Sequence, residues 1–140
     1  MAHLHESMAT LLVCGDALVP SKITQLLGCD PPGEQTKGQI FTNKRNGEER
    51  IAKTGMWRLD AAIAQPENLD KQVSEILIKP NQNIPVWEEI ARKYELNLSC
   101  GFFMERTNES VVLSPDTIRR LGQRSIGLSV DIYAPLGNSD

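Results

Sequence analysis

The sequence predicts an α+β fold, a mostly antiparallel sheet with helices packed on one face in a two-layer sandwich. Three observations predict it. The candidate strands alternate apolar and polar residues, the pattern of strands with one covered face, rather than running solidly apolar as strands covered on both faces do. Each candidate helix carries a single apolar stripe. Strands and helices also mix along the chain without the regular βαβ alternation of parallel sheets. The 140 residues, 40% hydrophobic, suffice for one core, since a chain of this size buries roughly 68% of its unfolded surface. The expected division is an N-terminal tail at 1–7, one domain at 8–134 and a C-terminal tail at 135–140.

The elements follow in order. Met8 to Cys14 is a short apolar run ended by Gly15-Asp16, which reads as strand then turn. Pro20 opens a helix whose stripe is Ile23, Leu26 and Leu27, and Gly28 suits its left-handed C-terminal position. Asp30-Pro31-Pro32-Gly33 is a loop. Asn46-Gly47 lies between Gln39–Thr42 and Arg50–Lys53, and both residues tolerate the positive φ of a type I′ turn, which predicts a hairpin or a mobile flap. Met56 to Ile63 alternates, with Trp57, Leu59, Ala61 and Ile63 on the inner face.

Two helices come next. Leu69, Val73, Ile76 and Leu77 are helically spaced between Asn68 and Pro80, as are Trp87, Ile90, Ala91 and Tyr94 after Asn83. Leu98, Cys100, Phe102 and Met104 then share one strand face, Arg106 to Glu109 turns, and Ser110 to Leu113 is a short strand. Ser114 caps a helix begun by Pro115, with Ile118 and Leu121 as its stripe. Ile126, Leu128, Val130 and Ile132 alternate with Gly127, Ser129, Asp131 and Tyr133 in the cleanest strand of the chain. The shared spacing of Pro20, Ile23, Leu26 and Pro115, Ile118, Leu121, each before a glycine, suggests a duplicated strand-helix unit.

Several of these residues together carry a resemblance. Gly15-Asp16 with Pro20, Ile23-Thr24 and Leu27-Gly28, Lys37-Gly38, Gly55 with Trp57, Cys100-Gly101, Ser114-Pro115 with Leu121, and the closing Val130-Asp131-Ile132-Tyr133 resemble the bacterial family named domain of unknown function 4279. The resemblance spans about residues 8 to 134 and implies one small α+β domain. It implies no established activity, cofactor or catalytic residue. Val19 departs from it, standing at a helix N-cap where the family often has a polar residue, so this helix lacks a side-chain cap.

Composition narrows the function classes. No apolar run is long enough to span a membrane and the first residues lack a secretion signal, so a cytoplasmic protein without membrane contact is expected. Cys14, Cys29 and Cys100 are an odd, scattered set without a CxxC pair, better read as small apolar residues than as nucleophiles, with Cys29 the most exposed. His3 and His5, the only histidines, read as part of a solvated tail rather than as metal ligands. No cofactor is expected. Without a histidine in the body of the chain, Ser-His and Cys-His nucleophile pairs cannot form, and the glycine loops that cradle phosphates are absent. What remains for an enzyme is a carboxylate pair, Asp60 with Asp131, in a cleft under the hairpin; the plainer reading makes each the solvated residue of an alternating strand.

Residues 34 to 58 hold six basic residues (Lys37, Lys44, Arg45, Arg50, Lys53, Arg58) against three acidic ones (Glu34, Glu48, Glu49). They carry +3 while the remainder carries −6, for a net −3. A basic hairpin over 37–58 could track phosphates, although an acidic chain argues against nucleic acid as the partner. The preferred reading is a binding or protein-interaction module using the second face of the sheet, where Arg58, Asp60, Phe103, Asp131 and Tyr133 point away from the helices. The expected partner is a second copy, giving a homodimer, or another protein, with an accessory or immunity-like inhibitor role as one form. This face is expected to lie beside or beneath the 37–55 hairpin, with Leu59, Cys100, Phe102, Leu128, Val130 and Ile132 against the helices.

Overall fold

Ala9, Leu11 and Val13 are buried while Thr10, Leu12 and Cys14 between them are not, the signature of a strand covered on one side. The same alternation, with helices between, organises the computed structural model, which describes residues 2–135 and side chains from residue 4. In chain order the elements are β1 (Ala2–His3), β2 (Glu6–Gly15), α1 (Pro20–Leu27), β3 (Gly33–Gln35), β4 (Ile40–Thr42), β5 (Glu49–Ile51), β6 (Gly55–Asp60), α2 (Leu69–Leu77), α3 (Ile84–Lys93), β7 (Glu95–Phe103), β8 (Glu109–Ser110), α4 (Pro115–Gln123) and β9 (Gly127–Tyr133). The fold is α+β. Its main sheet is five-stranded and mixed, in the order β3-β6-β2-β7-β9, with antiparallel neighbours except for parallel β7 and β9.

Leu11, Val13, Trp57, Leu59, Leu98 and Cys100 of the sheet meet Ile23, Leu27, Val73, Ile76, Leu77, Trp87 and Ile90 of the helices in one core. Both buried indoles find acceptors, as their N–H groups require. Trp57 Nε1 donates to Thr24 Oγ1 at 3.0 Å and Trp87 Nε1 to the Asn81 carbonyl at 2.8 Å. The helix ends follow the sequence signals. Gly28 is left-handed (φ 70°) and its N–H donates to the Thr24 carbonyl, Asn68 and Ser114 cap α2 and α4 with side-chain oxygens, and Val19 supplies no cap.

Five expectations are corrected. Residues 2–7, expected as a tail, join the fold: Ala2–His3 pair with Glu109–Ser110, β2 begins at Glu6, and Leu4 is buried in the core. Residue 1 and residues 136–140, most of the expected C-terminal tail, lie outside the described residues. The Asn46-Gly47 turn is not type I′, because only Gly47 has positive φ. Asn43 and Asn46 side chains instead accept the Arg45 and Glu48 amides, and the Gly47 amide donates to the Asn43 carbonyl, closing a longer loop with one left-handed residue. Gly33, expected as the end of a loop, instead opens the edge strand Gly33–Gln35, which pairs with β6.

The other two corrections concern helix-facing residues. Ile118 is 58% exposed; Thr117 and Leu121 are the buried residues of α4, so the match to α1, where Ile23 is fully buried, does not extend to packing. Gly122 also lies inside α4 rather than after it, and the left-handed residue that follows the helix is Ser125. β9, the cleanest alternation in the sequence, is exposed along its whole length, and Leu128, Val130 and Ile132 do not pack on helices. The helices lie over β6, β2 and β7, and α4 docks beside α2, so the helical layer ends before β9. Alternation fixes which residues share a face; it does not supply something to cover them.

Candidate functional site

The sheet's second face is built in rows by strand register. Arg58, Leu12, Asn97 and Gly127 form one row, and Asp60, Thr10, Ser99 and Ser129 the next. Met8, Gly101 and Asp131 follow, then Glu6, Phe103 and Tyr133. The five residues singled out by sequence all lie on this face, but in two groups. Arg58 and Asp60 sit on β6, where Arg58 Nε is 3.4 Å from Asp60 Oδ1 and Thr10 Oγ1 donates to the same oxygen at 3.0 Å. Phe103, Asp131 and Tyr133 sit together on β7 and β9.

This separation removes the carboxylate pair. Asp60 and Asp131 are three strand spacings apart, about 14 Å across the sheet, too far for two carboxylates to share a substrate atom. Nor do the hairpin's apolar side chains pack onto this face to roof a cleft: Ile40 and Ile51 are exposed, and the ring of Phe41 is occupied by the Arg50 guanidinium, 4.5 Å from its centroid. The hairpin's basic charge is partly engaged as well. Lys37 Nζ is 3.1 Å from Asp16, Arg50 lies on Phe41, and Arg58 pairs with Asp60.

At the β7–β9 end, Phe103 and Tyr133 stack with ring centroids 4.7 Å apart and planes 7° from parallel. Gly101 precedes them by one row and has no side chain. A shallow depression of about 170 Å³ results, floored by Gly101 and bordered by Met8, Thr10, Ser99, Asp131 and the two rings. On the far side of the stack a wider hollow of about 540 Å³ is lined by His5, Glu6, Met104, Glu105 and Pro135. The stacked rings thus form a ridge between two hollows. Ser99 and Gly101 share the outward face of β7 with Phe103, as its alternation predicts, whereas Met8 and Thr10 were missed by sequence reasoning; the signal for them was the phase of β2, which also fixes their outward direction.

Other candidates are placed more simply. Among the described residues no three His, Cys, Asp or Glu side chains gather as a metal group, and His5 Nδ1 lies 3.3 Å from Glu105; the His3 side chain is outside the described part. Cys100 is buried and its thiol is pushed up to about 12 by that burial, so it is protonated at neutral pH and not a nucleophile. Cys14, expected in the core, is half-buried on the open face, and Cys29 is half-buried against the core; burial raises both thiols, with Glu95 and Asp30 adding to the effect. No helix among the described residues is long and apolar enough to cross a membrane.

Neither a curated protein nor a solved structure matches the chain. The sequence profile described as domain of unknown function (DUF4279) matches residues 5–135, which includes every strand of the main sheet and all four helices. The chain therefore belongs to the DUF4279 family.

Proposed function

We propose that the protein is a binding module that recognises another protein through its open sheet face, with the Phe103–Tyr133 ridge at the centre of the contact. The ridge carries this reading. Aromatic side chains supply a large share of interface energy, and a pair already stacked loses little rotamer freedom when a partner closes on it. The hollows on either side give a partner's side chains places to enter, and Asp131 at the edge adds a polar contact. Arg58 and Asp60, about three strands away, belong to the rim of such an interface. An accessory or inhibitor that occludes its target fits a small module with a net charge of −3, and three free cysteines fit the reducing cytoplasm.

The test is comparative capture after in-cell crosslinking, using wild type, the double variant Phe103→Ala/Tyr133→Ala, and Ile118→Ala as a control on the opposite layer. A protein held by wild type and control, and reduced at least tenfold with the double variant, is the expected result. Equal recovery with all three, while the double variant stays folded, overturns the reading.

A further inference from the structure

We propose that β9 is a dimerisation edge: a second copy of this chain adds its own β9 antiparallel to the first, joining two five-stranded sheets into one of ten. This goes beyond recognition by the ridge and rests on a different observation, the state of the sheet's two edges.

An edge strand presents unpaired backbone N–H and C=O groups, and stable monomers usually guard such edges with short strands, charges, prolines or bulges. The β3 edge is guarded in this way. It is three residues long, directly follows Pro31-Pro32 and has Glu34 at its centre. Among the described residues the β9 edge is more open: its seven residues contain no proline, lysine or arginine and a single charge, Asp131, beside the centre, and its register with β7 runs unbroken from Asn97–Gly127 to Phe103–Tyr133, without a bulge. Leu128, Val130 and Ile132 are 43%, 37% and 66% exposed, an apolar row beside an open edge.

The sequence of β9 complements itself. A two-fold axis through Val130, the central residue, uses the whole strand and sets Val130 opposite its own copy. Leu128 then faces Ile132, Ser129 faces Asp131 and Gly127 faces Tyr133. One side of the joined pair becomes a continuous apolar strip of six side chains. On the other, each Asp131 carboxylate faces a hydroxyl and each Tyr133 ring covers a glycine, a pairing that compensates for glycine's missing side chain. Centring the axis on Asp131 instead sets two carboxylates against each other. The same edge on both copies gives an isologous contact, and because β3 is guarded, assembly closes at two.

Sedimentation between about 1 and 100 µM, concentrations where a modest protein–protein contact is populated, tests the proposal. Wild type is expected to double in mass across this range. Val130→Lys sets two ammonium groups opposite each other on the axis and is expected to weaken dimerisation at least tenfold; because Val130 is partly exposed, a thermal melt confirms that the variant folds. Ser129→Lys sets a lysine opposite Asp131 twice in this register alone and is expected to tighten the dimer, a gain that misfolding cannot imitate. A monomeric wild type at the highest concentration, an undiminished dimer in folded Val130→Lys, or a weaker dimer in Ser129→Lys each overturns the proposal.

Discussion

Ser7 of β2 donates its hydroxyl hydrogen to Oε1 of Gln72 on α2 at 2.6 Å, across 65 residues of sequence, and both side chains are buried. Gln72 Nε2 donates to the carbonyls of Ser7 and Ala62, each at 2.9 Å, while the Asn68 amide donates to Ser7 Oγ at 3.2 Å. One glutamine thus ties the start of the central strand to the segment after β6 and to the first helix that follows it. Replacing it with leucine keeps the volume, leaves the buried Ser7 hydroxyl hydrogen without its acceptor, and removes the donor to the Ser7 and Ala62 carbonyls. At roughly 1–3 kcal/mol for each buried group left unsatisfied, Gln72→Leu should cost about 2–4 kcal/mol. Calorimetry should record a fall in Tm of about 5–15 °C, and a fall below about 2 °C would contradict the structure.

A second prediction comes from two strand glycines in different surroundings, Gly55 on the buried face of the sheet and Gly101 on the open one. A Cβ on Gly55 would meet the carbonyl oxygens of Gly15 at 2.7 Å and Leu18 at 2.9 Å, backbone atoms that cannot step aside. A Cβ on Gly101 meets Phe103 Cε2 at 3.4 Å and Tyr133 Cε2 at 3.7 Å, ordinary contact distances. Gly55→Ala should therefore destabilise by about 1–3 kcal/mol, the usual cost of overpacking, while Gly101→Ala should fold with unchanged stability. Because Gly101→Ala fills the floor of the depression, it should also weaken partner capture. Equal melting temperatures for the two variants would show that the Gly55 environment is wrongly described.

How far the sequence is legible is clearest in α1, α4 and β9. Gly28, Ser114 and the apolar spacing of α1 act locally, within a turn or two, so the chain alone discloses them. Burial at Ile118 and along β9 depends on which elements are neighbours in space. The spacing of α4 is satisfied equally by burying Ile118 or Thr117, and docking beside α2, where Arg120 Nη1 donates to Ser74 Oγ at 2.9 Å, selects Thr117. For the site, strand phase placed Phe103, Asp131 and Tyr133 on one face. Strand order, which no local pattern encodes, separated Asp60 from them. Ile118→Ala should accordingly change stability by less than about 0.5 kcal/mol, against about 2–5 kcal/mol for Leu121→Ala one turn later. Chemical denaturation of both variants checks this, and a large loss at Ile118 would restore the sequence-based packing.

A pH dependence is built into the turn that carries β8. The Arg106 amide donates to Glu109 Oε1 at 3.0 Å and the Glu105 amide to the same oxygen at 2.6 Å, and these bonds, that of Arg106 foremost, hold the carboxyl below its ordinary 4.5. Because the folded value is lowered, the turn's stabilisation by this group is complete above the unfolded value and lost as pH falls through the folded one. Carboxyl NMR should show Glu109 titrating below 4.5, with the Glu105 and Arg106 amides shifting at the same midpoint. Glu109→Gln should abolish that shared transition; a midpoint at or above 4.5 would dissociate the carboxylate from the turn.

The three thiols should report separately on the fold. Alkylation requires the thiolate, so a thiol pushed up to about 12 by burial is nearly inert at pH 8 even before its enclosure is counted. Cys100 faces the core from the middle of β7, between β2 and β9, and reagent can reach it only when that central ladder opens. Cys14 and Cys29 are half-buried, with thiols also raised by burial, and need no such opening. In native protein treated with iodoacetamide and followed by mass spectrometry, Cys14 and Cys29 should be modified first, and Cys100 at the rate of ladder opening. Adding a destabilising change such as Gln72→Leu should accelerate Cys100 far more than the other two, because opening is governed by the stability of the fold around it. If Cys100 reacts as fast as Cys29 in the wild type, the central strand pairing is not the barrier described here.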